Sequence, residues 1–176
     1  MLGSTPLETA HLTLALADPR DLLALVEGHP PDSLTALGAF YGSGAVSPQW
    51  IAALRRAAGV DAWRHGFFVR ERGSEQVIGA AGFKGPPDAD GMVEIAYGIV
   101  PACEGRGFAT EAARALMQFA SADPRVQLVR AHTLPEPNAS TRVLTKCGFV
   151  HVGDVVDPDD GPVWRWERPT RHIVTR

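Results

Sequence analysis

Gly105 and Gly107 stand one residue apart at the head of a run with helical spacing, within Glu104, Gly105, Arg106, Gly107, Phe108, Ala109 and Thr110. Glycine lets a backbone take positive φ and approach a ligand closely. A helix that starts there offers unpaired N–H groups and the positive end of its dipole. Together these make a setting for a phosphate group, and Arg106 adds a charged donor. A dinucleotide-binding G-x-G-x-x-G would need glycine where Thr110 stands. A nucleoside-triphosphate loop would need Gly-Lys-Ser/Thr, which is absent. The plain alternative is a glycine turn that only starts a helix.

Other chemistry-bearing residues point less far. The histidines show no metal-ligand spacing, and His132 reads as a structural residue. No Gly-x-Ser-x-Gly elbow exists, and Gly42, Ser43 and Gly44 read as loop. Cys103 and Cys147 are two distant thiols, too few for a disulfide framework and suited to a reducing compartment. Trp164 and Trp166 share a strand face with Arg165 opposite, a pattern of core or groove wall.

The elements that must carry these residues follow from periodicity and punctuation. Residues 12–16 read as a strand, and Asp18-Pro19 as the cap and first residue of a helix carrying Leu22, Leu23 and Val26. Residues 38–47, with three glycines around Phe40 and Tyr41, predict a mobile loop. Ser47-Pro48 starts a second helix with Trp50, Ile51 and Leu54 on one side. Residues 67–70, 76–83 and 92–100 alternate as strands joined by short turns, an antiparallel meander. The helix after Gly107 carries Ala109, Ala112, Ala113, Leu116, Met117 and Ala120 on one face and ends at Asp123-Pro124. Residues 126–133 form a strand and 140–147 a short helix stopped by Gly148. Strands over 149–154 and 163–167 close the chain, and residues 170–176 are predicted to fray. The strand–helix–strand passage over 92–133 makes one parallel pair in a mostly antiparallel sheet.

Three blocks, EIAYGI over 94–99, GRGFATEA over 105–112 and NASTRVLTKCGF over 138–149, resemble the GNAT superfamily of N-acetyltransferases. Among its branches they are most similar to the ribosomal-protein alanine N-acetyltransferases, and TAHLTL over 9–14 resembles that branch's first-strand opening too. The match runs over about residues 7–168 and is weak across 29–66. The resemblance implies a single GNAT domain over 1–176, a mixed α/β fold. Its central, mostly antiparallel sheet would have about seven strands, with flanking helices and the 92–133 crossover.

It also implies acetyl-CoA as co-substrate and no metal. The family's acetyl-CoA motif, Gln/Arg-x-x-Gly-x-Gly/Ala, falls on Glu104, Gly107 and Ala109, with an acid at Glu104 in place of the usual Gln or Arg. Main-chain N–H groups of Gly105, Arg106, Gly107, Phe108, Ala109 and Thr110 would then hold the pyrophosphate. The backbone of Tyr97, Gly98 and Ile99 would hold the pantetheine arm, and an N–H near Gly98 or Ile99 the oxyanion. Asn138 would contact pantetheine or nearby backbone, two residues before the serine rather than the three usual in relatives.

The implied reaction is direct attack of a neutral primary amine on the thioester, with oxyanion stabilisation and a proton for the leaving thiolate. Glu94, on the strand face opposite Val93 and Ile95, is the candidate base; the plain alternative is an exposed or arginine-paired carboxylate. As a base, Glu94 would matter less for an α-amine of pKa ~7.7–8.0 than for a lysine at ~10.4. The tyrosine that many relatives carry in the last helix is replaced by Leu144. Ser140 is the candidate acid, and it is equally a good helix N-cap. Aromatic residues of the early segment, Phe40, Tyr41, Trp50 and Trp63, are placed where relatives shape the acceptor pocket.

The 176 residues are 45% hydrophobic and 21% charged, with a net charge of −3. That suits one globular domain and gives no electrostatic footprint for nucleic acid or anionic lipid. No apolar run approaches the ~20 residues of a membrane span, and the first ten residues carry no secretory pattern. The expectation is a cytoplasmic enzyme acting on a small-molecule or peptide amine, without nucleic acid or membrane partners; a homodimer stays open. Two rival readings stay open too: a non-catalytic acyl-CoA-binding domain, and transfer of a longer acyl group such as succinyl.

Overall fold

The computed structural model describes residues 5–42 and 44–170. Ser43, in the expected loop, and the expected frayed tail over 171–176 lie outside the described residues. Thr170 itself is tied down, its N–H and hydroxyl donating to the carbonyls of Gln127 and Val126.

Eight strands form one sheet: β1 (Leu7–Glu8), β2 (Leu12–Leu16), β3 (Phe67–Glu71), β4 (Val77–Phe83), β5 (Met92–Ile99), β6 (Leu128–Thr133), β7 (Val150–Asp157) and β8 (Gly161–Pro169), in the order β1-β2-β3-β4-β5-β6-β8-β7. The strand beyond the expected set is β1, which folds back on β2 with Leu7 opposite Leu14. The meander β3-β4-β5 is antiparallel, and β5–β6 is the one parallel pair. Alternating apolar residues of these strands bury Leu12, Leu14, Phe67, Val69, Val93 and Val129 in a continuous core.

The helices are α1 (Pro19–Glu27), α2 (Gly38–Tyr41), α3 (Pro48–Arg56), α4 (Ala62–His65), α5 (Phe108–Ala122) and α6 (Ala139–Lys146). Asp18, Ser47, Asp61 and Asn138 cap α1, α3, α4 and α6 by accepting main-chain N–H bonds. Leu116, Ala112, Ala113 and Ala120 press α5 on the sheet without any exposed surface.

The segment read as broken chain and mobile loop is partly ordered. A 3₁₀ turn at Asp32–Leu37 buries Leu34 and Leu37 and runs straight into α2. Hydrophobic anchoring thereby outweighs Gly38, while Gly42 and Gly44 lie beyond α2 in bend and turn. Phe40 of α2 lies on Gly98, where an added Cβ would come within 3.3 Å of the ring.

Candidate active site

The parallel pair is short. Met92, Val93 and Glu94 pair with Leu128, Val129 and Arg130, and no ladder pair joins the strands beyond them. From there β5 continues beside β4 and β6 continues beside β8, so a wedge opens between them. The register tells which main-chain groups face it. Lys84 N–H donates to Glu94 O at 2.9 Å, and Val100 N–H to Ile78 O at 2.8 Å. By antiparallel alternation the main-chain groups of Ala96 and Gly98 also turn to β4. Those of Ile95, Tyr97 and Ile99 therefore face the wedge. Of the two positions expected to supply an oxyanion donor, Ile99 faces it and Gly98 does not.

At the mouth of the wedge the chain turns into α5. Gly105 and Gly107 have φ of 75° and 83°, the left-handed region that glycine tolerates. Gly107 occupies the N-cap position, and among the described residues no side chain caps the first-turn N–H groups of α5. Phe108 and Thr110 point inward and are buried. Glu104, Gly105, Arg106 and Gly107 are exposed. The turn thus presents main chain rather than side chains. Arg106 is directed away: it lies over the Phe108 ring and pairs with Glu71 at 2.7 Å. Ser74, which donates to Glu71, and Arg106 together hold that carboxyl below the usual carboxylate range against partial burial. A cavity of about 370 Å³ beside this pair is lined by His11, Glu71, Arg72, Arg106 and Phe108 among others.

Strand alternation puts two sets of side chains on opposite faces of β5. On the face toward α6 lies Tyr97. Its phenol oxygen is buried without a hydrogen-bond partner among the described residues. Burial pushes this phenol well above its ordinary pKa; the Cys147 thiol adds to the effect and the nearby Ser140 hydroxyl opposes it. Ser140 is not the helix cap. Asn138 is, accepting from Thr141 N–H at 3.0 Å while Thr141 Oγ1 accepts from Asn138 N–H, a reciprocal capping box. The hydroxyl of Ser140 is consequently free of capping, and the Asn138 carbonyl oxygen is committed to it.

On the other face lies Glu94, its side chain 15% exposed. Oε1 accepts from Lys84 Nζ at 3.0 Å and meets His132 Nδ1 at 2.8 Å. Arg165 Nε donates to His132 Nε2 at 3.1 Å. Burial works to lower the Lys84 ammonium, but Glu94, with Asp160 and Asp157 beyond it, outweighs burial and raises it. Neither Lys84 nor Arg165 was a site candidate on sequence grounds, and His132 read as structural. The available signal was register: Glu94 pairs with Arg130, so His132 two residues on shares its face, and His132 pairs with Arg165. The early aromatics divide. Phe40 borders this face at Gly98, whereas Trp63 packs on Phe83 and Phe119 at 4.5 and 5.0 Å between ring centres. Among the described residues no cluster could hold a metal ion, and no helix is long and apolar enough to cross a membrane.

A mixed sheet whose single parallel pair splays open in front of an uncapped helix start is the architecture of the GNAT acetyltransferases. The family model for the acetyltransferase (GNAT) domain matches residues 11–150, and the chain belongs to this family. A curated relative, the uncharacterized N-acetyltransferase YjdG of Bacillus subtilis (strain 168), is 28% identical over 92 residues. The aligned part is 52% of this chain and 52% of the relative, so the chain spans about half the length of the curated relative it matches. Among solved structures, a ribosomal-protein-S5-alanine acetyltransferase from Vibrio fischeri superposes with a TM-score of 0.66 at 13% identity, over 94% of this chain and 97% of that one. RimL, a ribosomal L7/L12 alpha-N-protein acetyltransferase in complex with coenzyme A, superposes with a TM-score of 0.65 at 14% identity, over 93% and 97%. At these identities the likeness is one of fold.

Proposed function

We propose that this chain transfers an acetyl group from acetyl-CoA to a primary amine by direct attack. One observation carries the reading: the wedge between β5 and β6 joins an uncapped helix start at its mouth to the Glu94 carboxylate near its apex. In this reading the N–H groups over 105–110 hold the pyrophosphate. The wedge-facing main chain of Tyr97 and Ile99 pairs with the pantetheine arm, and Asn138 lies alongside it. Ile99 N–H meets the developing oxyanion. The amine nitrogen attacks the thioester carbon and the C–S bond breaks. Glu94, five residues from Ile99 along β5, takes a proton from the amine through intervening water, and Ser140, uncommitted to capping, gives one to the departing sulfur.

Acceptor and donor thus enter from opposite faces of β5, as their side chains divide. One solved relative is named a ribosomal L7/L12 alpha-N-protein acetyltransferase and the other a ribosomal-protein-S5-alanine acetyltransferase, which supports a peptide α-amine as first acceptor class. An amino acid or small-molecule amine fits the same chemistry. Calorimetric titration with acetyl-CoA, with NAD and ATP as controls, tests donor binding. Selective binding followed by thiol release on an amine panel supports the proposal. Selective binding without turnover on any amine replaces it with a non-catalytic acyl-CoA-binding domain.

A further inference from the structure

We propose that His132 is a positioning residue for Glu94 and that Arg165 fixes the tautomer in which it acts; this rests on the reading of Glu94 as proton acceptor. The argument begins with donor inventory. A guanidinium N–H only donates, so His132 Nε2, 3.1 Å from Arg165 Nε, accepts and carries no proton. A neutral imidazole has one N–H, so it is on Nδ1 and donates to Glu94 Oε1 at 2.8 Å. The ring is 8% exposed and held from both sides, so it cannot turn without losing both bonds.

The consequence is a division of labour between the two oxygens of Glu94. Lys84 Nζ and His132 Nδ1 both bond Oε1. Oε2 is left as the oxygen that receives a proton. The neighbouring stripe on the same face shows that a bare ion pair was an available solution, since Arg130 contacts Glu167 directly at 2.7 Å. At Glu94 a neutral ring instead stands between Arg165 and the carboxylate. It passes on orientation without bringing a second cation into contact. The charged groups that face the ring are Glu94 from β5, Arg165 from β8 and Asp157 from the end of β7, with Lys84 across Glu94.

Asparagine and glutamine separate the roles of the two ring nitrogens. The Asn amide nitrogen reaches the position of Nδ1 and can donate to Glu94, whereas the Gln amide reaches that of Nε2. H132Q should lower kcat about tenfold or more, with acetyl-CoA affinity unchanged, and H132N should recover most of that loss. Equal loss in both variants, or no loss in H132Q, overturns the positioning role. Long-range ¹⁵N–¹H NMR of the wild-type imidazole gives a readout independent of turnover: Nδ1 should be the protonated nitrogen of the neutral ring. R165L, which spares Glu94 and His132, should convert this to a mixture of tautomers and lower kcat several-fold. A wild-type ring protonated on Nε2 overturns the assignment. If the wild type acetylates no amine, the functional reading and the positioning role fall together, while the tautomer assignment is still decided by NMR.

Discussion

α1 and α5 begin in opposite ways. Asp18 closes α1 with Pro19 behind it, and its carboxylate binds the Arg20 main-chain N–H at 2.8 Å and the Arg20 side chain at 2.7 Å. α5 is the longest helix, yet it starts on left-handed Gly107 with no capping side chain among the described residues. Ser47, Asp61 and Asn138 repeat the α1 solution at α3, α4 and α6. On the proposed function the α5 start is left open for a guest, unlike the start of α2, which also lacks a capping side chain but continues from a 3₁₀ turn. The orphan N–H groups of α5 would otherwise be satisfied by a serine or aspartate, worth about 1 kcal/mol to the helix.

The largest effect should come from filling that open end. Gly107→Trp puts a Cβ at φ 83°, a conformation L-residues resist, and an indole in the space in front of α5. Apart from its chain neighbours, nothing lies within 4 Å of the added Cβ, so the core does not have to shift to admit it. Acetyl-CoA affinity should fall by about a hundredfold or more in calorimetry, with the far-ultraviolet circular dichroism retained. Unchanged affinity would remove the α5 start from the site.

Next in size is Glu94→Gln, which tests whether the two faces of β5 do separate work. Turnover should fall by about 10²-fold, most steeply at low pH, where the acceptor amine is protonated and needs a base. Acetyl-CoA affinity should stay within about twofold. A uniform rate ratio across the pH range would mean that Glu94 is not the proton acceptor.

The same contrast explains what was legible in the sequence. The α5 turn depends on residues adjacent in the chain, so Gly105, Gly107 and the apolar face behind them announce it. The Glu94 cluster draws on β5, β6, β8 and the end of β4, and no local pattern links Lys84, His132 and Arg165 to it. Strand alternation did place Glu94 correctly relative to Val93 and Ile95. β1 leaves no mark in the sequence because two residues make no period. Its turn is held from outside, where Glu111 accepts from Thr9 Oγ1 and His11 N–H. The sequence offers two good caps for α6, Ser140 and Asn138, and Thr141 completes the reciprocal box only with Asn138, two residues earlier.

A smaller effect should come from Glu71→Gln. Arg106 is the one side chain at the turn with a charge suited to phosphate, and Glu71 holds it at 2.7 Å on a side chain 17% exposed. Loss of the carboxylate charge should release Arg106 toward the ligand. Acetyl-CoA should then bind about two- to threefold more tightly, with a steeper dependence on salt. Weaker binding would show instead that Glu71 holds Arg106 where the ligand needs it.

The smallest change in binding, none, is expected from Asp18→Ala, and it completes the comparison of helix starts. Hydrogen bonds from the Arg20 side chain and main chain lower the Asp18 carboxyl to about 2. Its folded value lies below the unfolded ~3.9, so its contribution is fully present above about pH 4 and is lost as pH falls toward 2. Asp18→Ala should therefore cost about 1 kcal/mol at neutral pH, or roughly 2–4 °C in Tm for a chain of this length. The gap from wild type should close between about pH 4 and pH 2, with acetyl-CoA affinity unchanged throughout. At α1 the occupied cap would then contribute stability and no binding. At α5, Gly107→Ser should do the reverse, weakening acetyl-CoA binding without stabilising the helix, because a side chain forced into the left-handed region at φ 83° stands by the first-turn N–H groups that the ligand would use and lacks the extended backbone of a capping serine. A serine there that left acetyl-CoA affinity intact would break the comparison, because it would mean that the missing cap is not what opens the site.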